Sequence, residues 1–143
     1  MNKFLPLLIL TYFIHANEIK FNAIDEHEDG TLNVSFNLEQ VAYINSYALE
    51  NPSRLVLEIN DAYSKKPINE IYNYPIKKIR SSEDNNLTRV IIDLYDHVFW
   101  KKPIQKQEDS DILMNIKLLK DKSLKKNMRD IIVAIDAGHG GKY

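Results

Sequence analysis

The chain has 143 residues, 44% hydrophobic and 27% charged, which is the composition of a globular protein with room for one domain of ordinary size. Nineteen Lys and Arg stand against 20 Asp and Glu, a formal net charge of −1. That balance lacks the basic excess by which a nucleic-acid binder displaces counterions from phosphates. There is no cysteine, so disulfide staples, zinc–thiolate sites and thiol nucleophiles are excluded.

Residues 1–16 read as an export signal. Lys3 precedes an apolar run of 11 residues from Phe4 to Ile14, and His15-Ala16 closes it with a small residue at the cut. The run is too short for a membrane-spanning helix, which takes about 20 residues, but has the length of the apolar part of a cleavable signal. The expectation is a mature protein in the periplasm, with no transmembrane helix once the signal is removed. The lack of thiols makes it indifferent to an oxidising compartment.

Between residues 17 and 118 the pattern has period two. Leu32, Val34, Phe36 and Leu38 alternate with Asn33, Ser35, Asn37 and Glu39, as in a strand with one wet face. Asp29-Gly30 supplies the turn before it. The acids Asp25, Glu26, Glu28 and Asp29 around His27 lack the ligand spacing and central Gly of a calcium loop and read as a solvated turn. Two further runs, Arg54-Leu-Val-Leu-Glu-Ile59 and Arg89-Val-Ile-Ile-Asp-Leu94, each follow a polar turn cluster and echo one another 35 residues apart. Arg54 corresponds to Arg89 and Glu58 to Asp93. Within each run the Arg and the acid are four residues apart, so both lie on one face of their strand. The expectation is a sheet buried on one side that carries Arg–acid pairs on the other. More strands are expected at 19–24, 41–47, 76–80, 98–104 and 112–118, and no segment carries a helical period between caps. The fold class is all-β, a sandwich with pseudo-symmetric halves.

Residues 119–130 are Lys-rich without strand period and read as a solvated linker. Ile131-Ile-Val-Ala-Ile135 is continuously apolar, as in a parallel strand covered on both faces. Asp136-Ala-Gly-His-Gly-Gly141 follows it. At the carboxyl end of such a strand, glycines let the backbone approach a ligand closely, and His139 stands where a ligand would bind. Alone, one His does not make a zinc site; a tight turn or a phosphate cradle without Walker spacing fits the same residues.

The segment from Arg129 through Asp136-Ala-Gly-His-Gly-Gly-Lys142 resembles the opening of the zinc-dependent N-acetylmuramoyl-L-alanine amidases of bacterial cell-wall remodelling. Asn51-Pro-Ser-Arg-Leu-Val-Leu-Glu58, Ile76-Lys-Lys-Ile-Arg80 and Thr88-Arg-Val-Ile-Ile-Asp-Leu94 are similar to the AMIN domain, the β-sandwich targeting module that precedes such enzymes. The resemblance implies four parts: a signal at 1–16, an AMIN-like β-sandwich at 17–118, a linker at 119–130, and at 131–143 a stub of the α/β amidase domain. It implies Zn2+ as the family's cofactor, His139 as a zinc ligand, and peptidoglycan as the partner, alongside other cell-wall or division proteins. The remaining ligands and the catalytic Glu of that family lie farther along than Tyr143, so no catalytic residue is assigned and the chain alone is expected to be inactive. The alternative is a stand-alone secreted peptidoglycan-binding AMIN module, or one of the secretin type. For glycan contacts the resemblance directs attention to Tyr43, Tyr47, Tyr63, Tyr72, Tyr74 and Trp100 as stacking surfaces. Arg54 and Arg89 are partners for stem-peptide carboxylates. Against this stands ordinary core or turn packing of aromatics. His27 and His97 have no ligand-like neighbours and read as surface residues.

Overall fold

A computed structural model describes residues 17–119 of the chain. The expected export signal, the linker beyond residue 119 and the segment 131–143 with His139 lie outside the described residues.

The described residues are all-β, eleven strands in two sheets. The first sheet contains β1 (Asn17–Glu26), β2 (Thr31–Leu38), β5 (Ala62–Tyr63), β9 (Phe99–Trp100), β10 (Ile104–Glu108) and β11 (Asp111–Leu119). Its order is β10-β11-β2-β1-β5, with β9 also pairing β11. The second contains β3 (Ile44–Leu49), β4 (Arg54–Asn60), β6 (Asn69–Ile71), β7 (Ile76–Asp84) and β8 (Leu87–Leu94), in the order β3-β4-β8-β7-β6. Every pairing is antiparallel except the short one between β1 and β5.

The alternation legible in the sequence becomes the core. Leu32, Val34, Phe36 and Leu38 of β2 and Ile112, Met114, Ile116 and Leu118 of β11 meet Leu55, Leu57 and Ile59 of β4 and Val90, Ile92 and Leu94 of β8 in one buried cluster. Because side chains alternate across a strand, each of these strands sends every second residue inward and leaves the intervening one to the outer face.

Two bulges adjust this parity. In β1, Ile19 and Phe21 stand opposite Leu38 and Phe36; the register then shifts between Phe21 and Ala23, so that Ile24 stands opposite Val34. The extra residue, Asn22, donates its side-chain Nδ2 to Ser35 Oγ at 3.2 Å, and Ser35 Oγ donates to the Ala23 carbonyl at 3.2 Å. A buried hydroxyl thus finds its partners at the place where the ladder is interrupted. In β7 the register shifts between Ile76 and Lys78, and the extra residue lets both Ile76 and Ile79 face the core, three positions apart.

Asn and Asp open the tight turns. Asn85 between β7 and β8 and Asp109 between β10 and β11 have φ of 54° and 50°, the left-handed region that these side chains tolerate. The sheets are stitched at one corner. Thr88 of β8, fully buried, donates its Oγ1 to the Ala62 carbonyl of β5 at 2.6 Å, and the Asp61 amide donates to the Asn86 carbonyl at 2.6 Å. Asn17 anchors the crossing from β2 to β3: its Oδ1 accepts from the amides of Glu39 and Gln40, and its Nδ2 donates to the Gln40 carbonyl.

The structure corrects several expected boundaries. The strand expected at 41–47 begins at Ile44 and runs to Leu49, because residues 39–43 carry the chain from one sheet to the other. The run expected at 98–104 divides into β9 and β10 at Lys101-Lys102-Pro103, where proline has no amide for a ladder. Short β5 and β6 carry no periodic signal.

Phe36 is fully buried and meets Phe21 edge to face, ring centroids 5.8 Å apart. Phe36→Ala is expected to destabilise the fold by about 3–5 kcal/mol, read as a lower urea midpoint at unchanged slope.

Candidate functional site

The outer face of the five-stranded sheet carries the echoed strands side by side. β4 and β8 are adjacent and antiparallel, so the Arg of each copy stands opposite the acid of the other: Arg54 opposite Asp93 and Arg89 opposite Glu58, with Val56 opposite Ile91 between them. The sequence placed Arg–acid pairs on this face without fixing the partners; the salt bridges form across strands. Cross-strand neighbours on one face are about 4.5–5.5 Å apart, whereas residues four apart along a strand are separated by roughly 13 Å.

Of the two cross-pairs, one forms. Arg89 Nε donates to Glu58 Oε1 at 3.0 Å, and Asn45 and Tyr47 of β3 donate to the same carboxylate at 3.3 and 3.2 Å. The Arg89 hydrogen bond chiefly holds the Glu58 carboxyl below the usual glutamate range; partial burial opposes this, and Asn45 and Tyr47 reinforce it. Burial, with the Glu58 charge beside it, pushes the Tyr47 hydroxyl up. The other acid, Asp93, is taken by Arg80 of β7, Nε to Oδ2 at 2.8 Å and a terminal nitrogen to Oδ1 at 3.3 Å. Arg54 is left over. Its Nε is buried with no hydrogen-bond partner, and it enters no ion pair among the described residues.

Arg54 follows directly on a loop that lines a cleft. Glu50, Ser53, Lys77, Tyr95, Asp96 and His97 are among the residues around this cavity of about 520 Å3. Beside it stands a tyrosine pair, Tyr74 and Tyr95, 57% and 58% exposed, ring centroids 6.4 Å apart and planes inclined by 33°. Backbone hydrogen bonds place them. The Tyr95 amide donates to the Pro75 carbonyl at 3.0 Å, the Tyr72 amide to Lys77 at 3.2 Å, and the Leu94 amide to Ser53 at 2.9 Å. On the far side of Tyr74 a smaller hollow of about 180 Å3 is bordered by Tyr72, Asn73 and Ile24. Two exposed aromatic rings thus stand between two hollows, and the unpartnered Arg54 is the next residue in sequence after Ser53 of the cleft. Exposed rings expose apolar faces that stack on planar or sugar surfaces, and a guanidinium donates paired hydrogen bonds to a carboxylate.

The structure distributes the sequence candidates unevenly. Tyr72 and Tyr74 border the smaller hollow, and Arg54 follows the cleft-lining Ser53 in sequence without itself lining the cleft. Tyr43 is exposed but borders a different hollow, with Lys102 and Gln105. Tyr63 is half-buried in β5, and Tyr47 and Arg89 are engaged around Glu58. Trp100, 2% exposed, belongs to the core. Tyr95 was not among the candidates; its signal is an aromatic-acid step, Tyr95-Asp96, directly after a strand. His27 is exposed in the acidic turn, where Asp29 accepts from the Thr31 amide and hydroxyl. These bonds lower the Asp29 carboxyl from its ordinary value. His97 packs edge-on against Phe99, centroids 5.7 Å apart. Among the described residues no group of three or more His, Cys, Asp or Glu is placed to hold a metal ion, and no helix is long and apolar enough to cross a membrane.

An all-β two-sheet module with a surface site and no metal cluster among its described residues is thus defined. The AMIN domain family matches residues 18–111, about two thirds of the chain, and the chain belongs to that family. Neither curated proteins nor solved structures yield a match. AMIN domains are associated with peptidoglycan binding, are known alongside amidases and in secretins, and occur in periplasmic or secreted proteins.

Glu58 supplies a pH test. Because its carboxyl titrates lower in the folded chain than in the unfolded one, its stabilisation is complete above the unfolded value of about 4.3 and is lost as pH falls through the folded value. The stability advantage of the native chain over Glu58→Gln is expected to be constant from about pH 7 to 5 and to shrink below about pH 4, as measured by urea unfolding. An advantage independent of pH contradicts the assignment.

Proposed function

We propose that the domain is a peptidoglycan-binding, targeting module that works in the periplasm, and that it delivers an N-acetylmuramoyl-L-alanine amidase domain whose opening strand and Asp136-Ala-Gly-His-Gly-Gly141 motif follow the linker. The observation that carries the binding part is the Tyr74–Tyr95 ridge beside the cleft and the unpartnered Arg54. The rings offer stacking faces to the sugars, and the guanidinium offers a bidentate partner to a stem-peptide carboxylate. The membership of the AMIN family supports the substrate class.

In this reading His139 is a ligand of a zinc ion, which when bound supplies a polarised water for amide hydrolysis. The described domain supplies position: it holds the enzyme on its polymer and raises the local concentration of scissile bonds.

Two measurements test the proposal. In co-sedimentation with insoluble peptidoglycan, Tyr74→Ala and Tyr95→Ala are each expected to weaken binding about three- to tenfold, as loss of an aromatic contact does. Arg54→Gln is expected to weaken binding to intact peptidoglycan but not to peptide-stripped glycan. Failure of the native chain to co-sediment removes the binding reading. Separately, one His cannot complete a catalytic zinc site, so the 143-residue chain is expected to release no stem peptide from purified peptidoglycan with zinc present. Zinc-dependent release abolished by His139→Ala would show that this chain completes the site in another way.

A further inference from the structure

One edge of the five-stranded sheet is β3, which pairs only β4. Which of its residues face away from the sheet follows from the hydrogen bonds at the two ends of β4. The Leu94 amide donates to the Ser53 carbonyl and the Asp61 amide to the Asn86 carbonyl. In the register that sets Leu55 opposite Ile92 and Ile59 opposite Thr88, the odd residues of β4 therefore bond to β8 and the even ones to β3. The Asn60 amide accordingly donates to the Tyr43 carbonyl at 3.1 Å, and Asn45, Tyr47 and Leu49 continue that row opposite Glu58, Val56 and Arg54. Ile44, Ser46 and Ala48 occupy the alternate positions, so their amides and carbonyls point away from β4. No strand among the described residues pairs with them on that side. The row closes at Ala42, whose amide and carbonyl are both held by the Gln105 carboxamide, at 2.9 and 2.8 Å. Beyond the clamp a hollow of about 280 Å3 is bordered by Tyr43, Ile44 and Ser46 of this edge together with Lys102 and Pro103.

The edge lacks the devices that keep sheet edges apart. From Val41 to Leu49 there is no charged residue and no proline, and β3 runs against β4 without a register shift. β10, by contrast, carries Lys106 and Glu108, and β6 is three residues long. Large apolar groups are also left in solvent here. Val41 and Tyr43, on either side of the clamped Ala42, are 70% and 73% exposed, and Ile104, between Pro103 and Gln105, is 54% exposed.

We infer that a second copy of this chain docks on β3, antiparallel, joining the two five-stranded sheets across a twofold axis at Ser46. In this register Ile44 meets Ala48 of the second copy and Ser46 meets its own counterpart, each pair exchanging main-chain hydrogen bonds. The outward row from Ile44 to Ala48 is then fully used. One position farther, the exposed Tyr43 ring stands opposite Leu49 of the second copy, at a non-hydrogen-bonded pair where side chains approach most closely. One more position brings Glu50 of the second copy opposite Ala42, at the end of the edge where Lys102 borders the hollow. Glu50 and Lys102 are both exposed and enter no ion pair among the described residues. A second copy is the occupant because the strand itself offers an added chain no charge to read, while its two ends carry opposite charges in the order that an antiparallel copy matches. Tyr74, Tyr95 and Arg54 take no part, so this inference and the glycan reading fail independently.

The test combines analytical ultracentrifugation of the full chain, from micromolar to millimolar concentration, with amide-resolved hydrogen exchange. A monomer–dimer equilibrium is expected. The Ile44, Ser46 and Ala48 amides gain protection as concentration rises, whereas Asn45 and Tyr47, already bonded to β4, are protected throughout. Ser46→Pro removes an edge amide that β4 does not use and is expected to leave the chain monomeric. Tyr43→Lys, at an exposed position, is expected to weaken association about tenfold. Unchanged amide shifts of β8 verify the fold of both variants. Free exchange of the three edge amides at millimolar concentration, or association that survives both variants, would overturn the inference. So would protection of these amides only on addition of soluble peptidoglycan fragments, which would assign the edge to the wall polymer.

Discussion

The interior of this domain depends on parity. Four strands, β2, β11, β4 and β8, each commit every second residue to a single core, and Phe36, Met114, Leu57 and Ile92 have essentially no exposure. A slip of one residue in any of these ladders would exchange its buried row for its outer row. The outer rows are unlike the inner ones: Asn33, Ser35 and Asn37 on β2, Arg54 and Glu58 on β4, Arg89 and Asp93 on β8. Register is therefore specified twice, once by the apolar row that fills the core and once by the largely polar row that faces away from it. The bulges at Asn22 and Lys77 are the places where strict alternation would have placed the wrong residue inside, and each resets the count.

That same alternation is why most of the fold was legible beforehand. The inward row of β2 was plain in the sequence, as were the two echoed strands and the absence of helix among the described residues. What escaped were features without a period. β5 and β6 are too short to show one, and the end of one strand at residue 100 depends on Pro103, three positions later. The direction of the Arg–acid pairing also escaped, because spacing along a chain says which face a residue occupies but not which strand lies beside it. Once β4 and β8 are known to be neighbours, the cross-pairs follow from register alone.

The candidate site was legible in smaller part. Tyr74 and Arg54 were visible as residue types suited to a glycan bearing carboxylates, but six aromatics were equally suited. Their sorting required burial: Trp100 belongs inside, Tyr47 is spent on Glu58, and Tyr74 finds its partner in Tyr95, 21 positions away in sequence. The hydrogen bond from the Tyr95 amide to Pro75 joins two loops that sequence spacing does not relate.

The pairing of the echoed strands has a geometric corollary. Two copies of one motif laid antiparallel generate a local twofold axis normal to the sheet, passing between Val56 and Ile91 and exchanging Arg54 with Arg89 and Glu58 with Asp93. Full symmetry would close both ion pairs and leave the face electrically even. The flanking strands differ, however: β3 brings neutral Asn45 and Tyr47 to Glu58, whereas β7 brings Arg80 to Asp93. Arg80 takes Asp93 and Arg89 takes Glu58, with Asp84 3.9 Å from Arg89, so of the three arginines Arg54 enters no ion pair among the described residues. The face acquires a direction, its arginine paired at one end and unpaired at the other, from a motif that by itself has none.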